Sequence, residues 1–277
     1  YVGKVNMDRN SPEFLIEDTH QSLADTKEWL EASAQFGPLV KPIITPRFVP
    51  SCTSELMSGL GNLAEAYNVP VQSHLSENHG EIEWVAALHP EAANYTDVYY
   101  EHHLMGKVPT VMAHCIHLSD VEMDRMAETQ TMVSHCPYSN VNLSSGIAPI
   151  RKLFERKIPI GLGSDISGGH IISMAKVLTE AIGLSKMKWV EVDQTYAPLT
   201  LSEAFYMATK GGGKFFGKVG SFEKGCELDA LVIDDTTLFD PNERSLEERL
   251  ERWLYVGDDR HIVERYVAGK VAPEPTN

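Results

Sequence analysis

The 277 residues contain only four cysteines, Cys52, Cys115, Cys136 and Cys226, at irregular spacing and without a C-x-x-C pair. That excludes a disulfide-built scaffold and makes a reducing compartment, the cytoplasm, the expected setting. No apolar run approaches the ~20 residues of a membrane-spanning helix. Positive charge is scarce as well: 24 Lys and Arg stand against 39 Asp and Glu, a net charge of -15, and no basic cluster interrupts the acidity. Such a surface repels phosphate backbones and anionic lipid, so neither nucleic acid nor membrane is an expected partner. The tripeptides Asn94-Tyr95-Thr96 and Asn142-Leu143-Ser144 match the glycosylation pattern, but no signal-like stretch accompanies them. What remains is an ordinary globular chain, 43% hydrophobic, long enough to bury a large core unaided, with a loose tail at 273–277.

Several catalytic motifs are also missing. Neither H-E-x-x-H nor G-x-S-x-G occurs, which removes zincin proteases and serine hydrolases. Gly59-Leu60-Gly61-Asn62-Leu63-Ala64 has dinucleotide-loop spacing but lies inside a helical pattern before a strand. Gly211-Gly212-Gly213-Lys214 lacks P-loop spacing, and His79-Gly80-Glu81 is followed by no P-C-x-x-C.

What is present is alternation. Strand-like runs at Val2–Met7, Val40–Thr45, Val69–His74, Thr110–His114, Thr131–His135 and Ile158–Leu162 are separated by helical patterns at 19–36, 51–67, 81–88, 119–129 and 148–156. Repeated βα units predict a parallel sheet, either a (β/α)8 barrel of about 250 residues or a six-stranded doubly wound sheet. Ser119-x-x-Glu122 and Thr200-x-x-Glu203 have capping-box form and mark helix starts. Beyond Leu228 the rhythm changes to a β run at 228–234, a charged helix at 245–254 and a β run at 262–270. Two strands are marginal alone, so a partner strand from elsewhere is expected.

The polar residues at strand ends carry the chemistry. His74 and His114 each finish a strand, and Asp165 follows another. In a parallel barrel all strand C-termini open on one face, where such side chains converge. Glu77 adds a carboxylate suited to moving protons. A neutral imidazole and a carboxylate suit zinc, which makes His74 and Asp165 candidate ligands, though a catalytic zinc takes at least three. His135 and His170 are spare candidates, read as pocket lining and loop respectively. His117 falls in a loop before a helix, and His102-His103 reads as a solvated surface pair.

Ser73-His74-Leu75-Ser76-Glu77, Ala113-His114-Cys115 and Gly163-Ser164-Asp165 resemble the metal-dependent amidohydrolase superfamily, in its mononuclear deaminase branch. Val219 to Val232 is similar to the stretch by which that superfamily returns to its small β domain. More narrowly, Pro46-Arg47-Phe48-Val49-Pro50-Ser51-Cys52, Gln72 to Asn78 and Ser134 to Asn140 resemble the guanine deaminases. The resemblance implies an α/β fold, a (β/α)8 TIM barrel over 1–218, with 219–277 as returning strands of a small β-sandwich domain. It implies one zinc per complete chain, held by His74 and Asp165, and hydrolysis of the purine guanine to xanthine and ammonia. Glu77 would protonate the ring, His114 orient water, Asp165 accept its proton, and Arg47 and Phe48 recognise guanine. A homodimer is the implied assembly. The family's H-x-H pair is absent, so the first barrel strands and their ligands are expected to precede Tyr1. The rival readings are another amidohydrolase acting on an aminated or chlorinated heterocycle, and a truncated, non-catalytic binding module.

Overall fold

A computed structural model describes residues 1–273, so all but the first residue of the expected tail lies outside the described residues. The chain forms two compact units, Tyr1–Ser134 with Lys152–Pro159, and His135–Arg151 with the chain from Ile160 onward.

The first unit is built on parallel pairing. β1 (Val5–Asn6) pairs with β2 (Thr45–Pro46), and Ile44 bridges in parallel to Val71 at the start of β3 (Val71–Leu75). β3 then pairs along its length with β4 (Thr110–His114), and β4 with β5 (Met132–His135). The first two strands are much shorter than the runs at 2–7 and 40–45 suggested. Val2 makes only an isolated bridge, to Pro42, and prolines at 42 and 46 offer no N–H to a ladder.

α1 (Thr19–Ala32) starts at Asp18, whose side chain accepts the Gln21 N–H, and tightens into a 3₁₀ turn that ends at Gly37 with φ 85°. α2 (Ser54–Tyr67) starts three residues later than expected, because Val49–Ser51 is a 3₁₀ turn and Thr53 is the cap. Its buried face, Leu56, Met57, Leu60 and Ala64, stands at helical spacing, and each leucine contributes roughly 2 kcal/mol by leaving water. The Gly-x-Gly inside it is a packing device: a Cβ on Gly61 would overlap the His102 carbonyl. α3 (His79–Leu88) and α5 (Asp120–Thr129) carry full capping boxes, at Asn78/Glu81 and Ser119/Glu122. Between them lies α4 (Tyr95–Glu101), which the sequence pattern hides because Tyr-Thr-Asp-Val-Tyr-Tyr has β-type composition. Asn94 is its cap, accepting the Asp97 N–H, which gives that glycosylation-like tripeptide a structural reason.

In the second unit, α6 (Pro137–Asn142) follows β5; α7 (Ile150–Glu155) straddles the division, and β6 (Ile160–Leu162) comes next. α8 (Met174–Glu191) is the longest helix described and was not expected. It has no side-chain cap hydrogen bond at Ser173 and holds Gly183 in its interior, so its start and continuity are unmarked. α9 (Leu201–Tyr206) opens on the predicted Thr200/Glu203 box and runs on as a π-helical turn to Gly211. β7 (Ala230–Ile233), α10 (Leu246–Val256), β8 (Ile262–Val267) and β9 (Lys270–Val271) are the last elements of the described residues. The expected single run at 262–270 is a hairpin turning at Ala268 and Gly269, both at positive φ. β7, β8 and β9 therefore make a three-stranded antiparallel sheet, whose third strand comes from the same run instead of from elsewhere.

Candidate active site

The ends of β3 and β4 bring three of the expected residues together. His74 stands one residue before the end of β3, and its Nδ1 lies 2.6 Å from the Arg47 carbonyl oxygen. A carbonyl only accepts, so Nδ1 carries the proton and this tautomer places the ring lone pair on Nε2. His114 ends β4, is 1% exposed, and its ring stacks on His74 with centroids 5.4 Å apart. Its Nε2 lies 3.7 Å from Oε2 of Glu77.

The backbone here is unusual. Ser76, His114 and Cys115 take φ values of 49°, 70° and 51°, in the left-handed region that non-glycine residues rarely visit. Such strain of about 1–3 kcal/mol per residue gathers at functional sites, where surrounding bonds hold it in place. The Ser76 carbonyl supplies that hold by accepting both the Ile116 and His117 N–H groups at 3.1 Å.

Arg47 and Phe48 follow β2. The Arg47 guanidinium is exposed and lies 5.4 Å from the centre of the Phe48 ring, while Trp84 meets that ring edge-on at 6.3 Å. The planar donor fork and the apolar face are therefore presented side by side.

A buried polar cluster lies beneath these residues, and the sequence reading missed it. Tyr99 donates to the His74 carbonyl at 2.8 Å and contacts Ser73 Oγ at the same distance; Ser73 donates to the Pro46 carbonyl at 2.7 Å. Tyr95 donates to Glu81 Oε1 at 2.6 Å, and Glu81 Oε2 accepts the Glu77 N–H at 2.8 Å. Burial pushes the Tyr95 and Tyr99 phenols well above their ordinary range, so both remain donors. The available signal was Asn78-x-x-Glu81, a capping box with Asn in place of Ser or Thr.

Asp165 belongs to the second unit. It follows β6 with φ 45°, and its carbonyl accepts the Gly169 N–H at 2.7 Å. Gly168 leaves room for the carboxylate, since a Cβ there would come 2.7 Å from Asp165 Oδ2. His135 is buried at the end of β5, and His170 meets Tyr138 edge-on in a loop. His117 is in a loop as expected and faces His79 with ring centres 4.0 Å apart. Of the expected surface pair, His103 is exposed and His102 half-buried, and they contact Glu65 at 2.6 Å and Ser58 at 2.8 Å. Among the described residues no group of three or more His, Cys, Asp and Glu is arranged to hold a metal ion.

The sequence pattern of the amidohydrolase family matches residues 1–272. The chain belongs to the amidohydrolase family. Within it, this amidohydrolase is 44% identical to a guanine deaminase of Dictyostelium discoideum over 97% of its own length and 61% of that protein's. It is 38% identical to the guanine deaminase of Escherichia coli K12, over 99% and 62%. A solved guanine deaminase of C. acetobutylicum, with guanine in its active site, superposes with a TM-score of 0.95 at 53% identity, covering 98% of this chain and 64% of that one. The chain thus spans about three fifths of the length of the relatives it matches. The architecture is the α/β barrel type of the amidohydrolases, which decides against the doubly wound sheet.

Proposed function

We propose that the complete protein hydrolyses guanine to xanthine and ammonia. The observation that carries this reading is the 2.6 Å bond from His74 to the Arg47 carbonyl, which joins the candidate base-recognition pair directly to a strand-end metal-ligand candidate. The relatives named guanine deaminase support it.

Arg47 offers its fork to the carbonyl edge of the purine, and Phe48 covers the ring. Water adds at C2, forming a C–O bond, and the C2–N bond to the exocyclic amine breaks. Glu77 protonates the ring nitrogen, then takes the proton of the C2 hydroxyl as the carbonyl forms and passes it to the departing amine, so that ammonia leaves neutral. His114, held at strained φ, orients the water, and Asp165 accepts its proton. His74 suits a metal, because its Nδ1–H is committed to a backbone carbonyl in the manner of metal-bound imidazoles. A zinc ion held by His74 and Asp165 would lower the pKa of the attacking water. Two donors are fewer than a catalytic zinc takes, so this reading takes its further donors from outside these 277 residues. Residues 1–218 as barrel, 219–277 as returning strands of a small β domain, a homodimer and a cytoplasmic setting belong to the same proposal.

The test is zinc content and ammonia release from guanine by the full-length protein, beside adenine nucleosides and chlorinated triazines. About one zinc per chain with guanine the fastest substrate supports the reading. Faster turnover of another heterocycle reassigns the substrate, and a metal-free protein without turnover refutes it.

A further inference from the structure

Glu81 is 6% exposed and touches no residue assigned to the chemistry except through the backbone. A capping box alone requires only that its carboxylate reach the Asn78 N–H, and that contact is the longest it makes, 3.4 Å. Its shorter bonds go elsewhere: Oε2 to the Glu77 N–H at 2.8 Å, and Oε1 to the Tyr95 hydroxyl at 2.6 Å. Tyr95 is 2% exposed and stacks on Tyr99, rings 5.7 Å apart and inclined by 13°, while Tyr99 donates to the His74 carbonyl.

The segment from Ser73 to Asn78 is therefore held from below at several points by one buried cluster. That segment contains Ser76 at φ 49°, a conformation that needs external restraint. The Glu77 side chain projects from the residue next to this strained position, so a small rotation at Ser76 would swing its carboxylate away from His114 and the purine.

We infer that Glu81, braced by Tyr95, is a positioning residue for Glu77. It fixes the Glu77 backbone so that the carboxylate is aligned for proton transfer before substrate arrives. This rests on the deaminase reading above. A misplacement of about 1 Å costs on the order of 100-fold in rate, and recognition by Arg47 and Phe48 is untouched, so the loss appears in kcat and not in KM.

The experiment compares Glu81→Gln and Tyr95→Phe in the full-length protein, measuring kcat and KM for guanine and Tm. Gln cannot accept at both positions, so one of the two short bonds is lost; Phe keeps the ring stack and removes the hydroxyl alone. The α3 cap survives either change, since Asn78 Oδ1 takes the Glu81 backbone N–H at 2.9 Å. Glu248→Gln is the control: it alters the same capping box on α10, a helix with no candidate site residue. Expected is a fall of about 10- to 100-fold in kcat for both site variants, with KM within about threefold, and unchanged kcat in the control. A kcat within about threefold of the parent in Tyr95→Phe overturns the inference even if Glu81→Gln fails to fold. An equal loss in the control also overturns it, because helix capping would then explain the effect. A parent that releases no ammonia from guanine overturns the deaminase reading itself, and this inference with it.

Discussion

Glu203→Gln should destabilise the protein at neutral pH and do so less as the pH falls. Arg151 grips the Glu203 carboxylate with both terminal nitrogens, at 2.6 and 2.9 Å, and also donates to the carbonyls of Ala197 and Pro198. The guanidinium bonds hold the Glu203 carboxyl down at about 2 instead of 4.5. At full value that depression corresponds to about 3 kcal/mol. Arg151 is 22% and Glu203 33% exposed, and water screening of the pair reduces the figure to about 1–2 kcal/mol. Because the folded-state pKa is depressed, this stability is complete above the unfolded value of about 4.5 and is lost as pH falls toward the folded one. Gln can keep the Thr200 capping box with its one carbonyl oxygen but turns a donor toward Arg151, so the substitution removes the charge together with one of the two guanidinium bonds. Urea unfolding at pH 7 should show a loss of about 1–2 kcal/mol, shrinking to less than half by about pH 3. Equal midpoints for parent and variant at pH 7, or a difference that does not change with pH, would refute the reasoning.

Gly168→Ala would drive a Cβ to 2.7 Å from Asp165 Oδ2 and 3.2 Å from Ser139 Cβ. If Asp165 is a ligand, zinc affinity of the full-length protein falls about tenfold or more in a chelator competition, and an unchanged affinity counts against that role. Gly61→Ala pushes α2 off the His102 carbonyl and should cost about 2–3 kcal/mol in denaturant unfolding; a loss under 1 would show that the helix shifts freely. Buried His89 lies with Nε2 3.2 Å from the Arg9 guanidinium, and burial, then Arg9, lowers its pKa from 6.5. The neutral ring's contribution is present above about 6.5 and lost as pH falls below it, so His89→Gln should flatten the decline in Tm between pH 6.5 and 5. A parallel decline in both proteins would rule this out.

The strands from β3 to β6 were legible because their apolar runs are bounded by turn residues, and β4 matches its expected limits. The capping boxes at Ser119 and Thr200 were legible because the pairing is local. α8 was not, since its stability comes from buried Val177, Leu178, Ala181 and Ile182 without an end signal. At the site, His74, Glu77 and His114 could be named from their places at strand ends. The support beneath them could not. Tyr95 and Tyr99 lie about 20 residues from His74 on a helix whose composition suggests a strand, and only folding brings their hydroxyls to its carbonyl.

The carbonyl of Ser76 is shared between two N–H groups of the loop that follows β4. The loop bearing Glu77 and the loop following His114 are thereby fastened at a common point. The Arg47–Phe48 corner is tied to the same part of the unit by its backbone, the Arg47 carbonyl to His74 and the Arg47 N–H to the Asn6 carbonyl, while the Arg47 guanidinium is exposed. A change confined to the Arg47 side chain therefore leaves in place the backbone bonds that fix Ser76, His74 and the loop after β4.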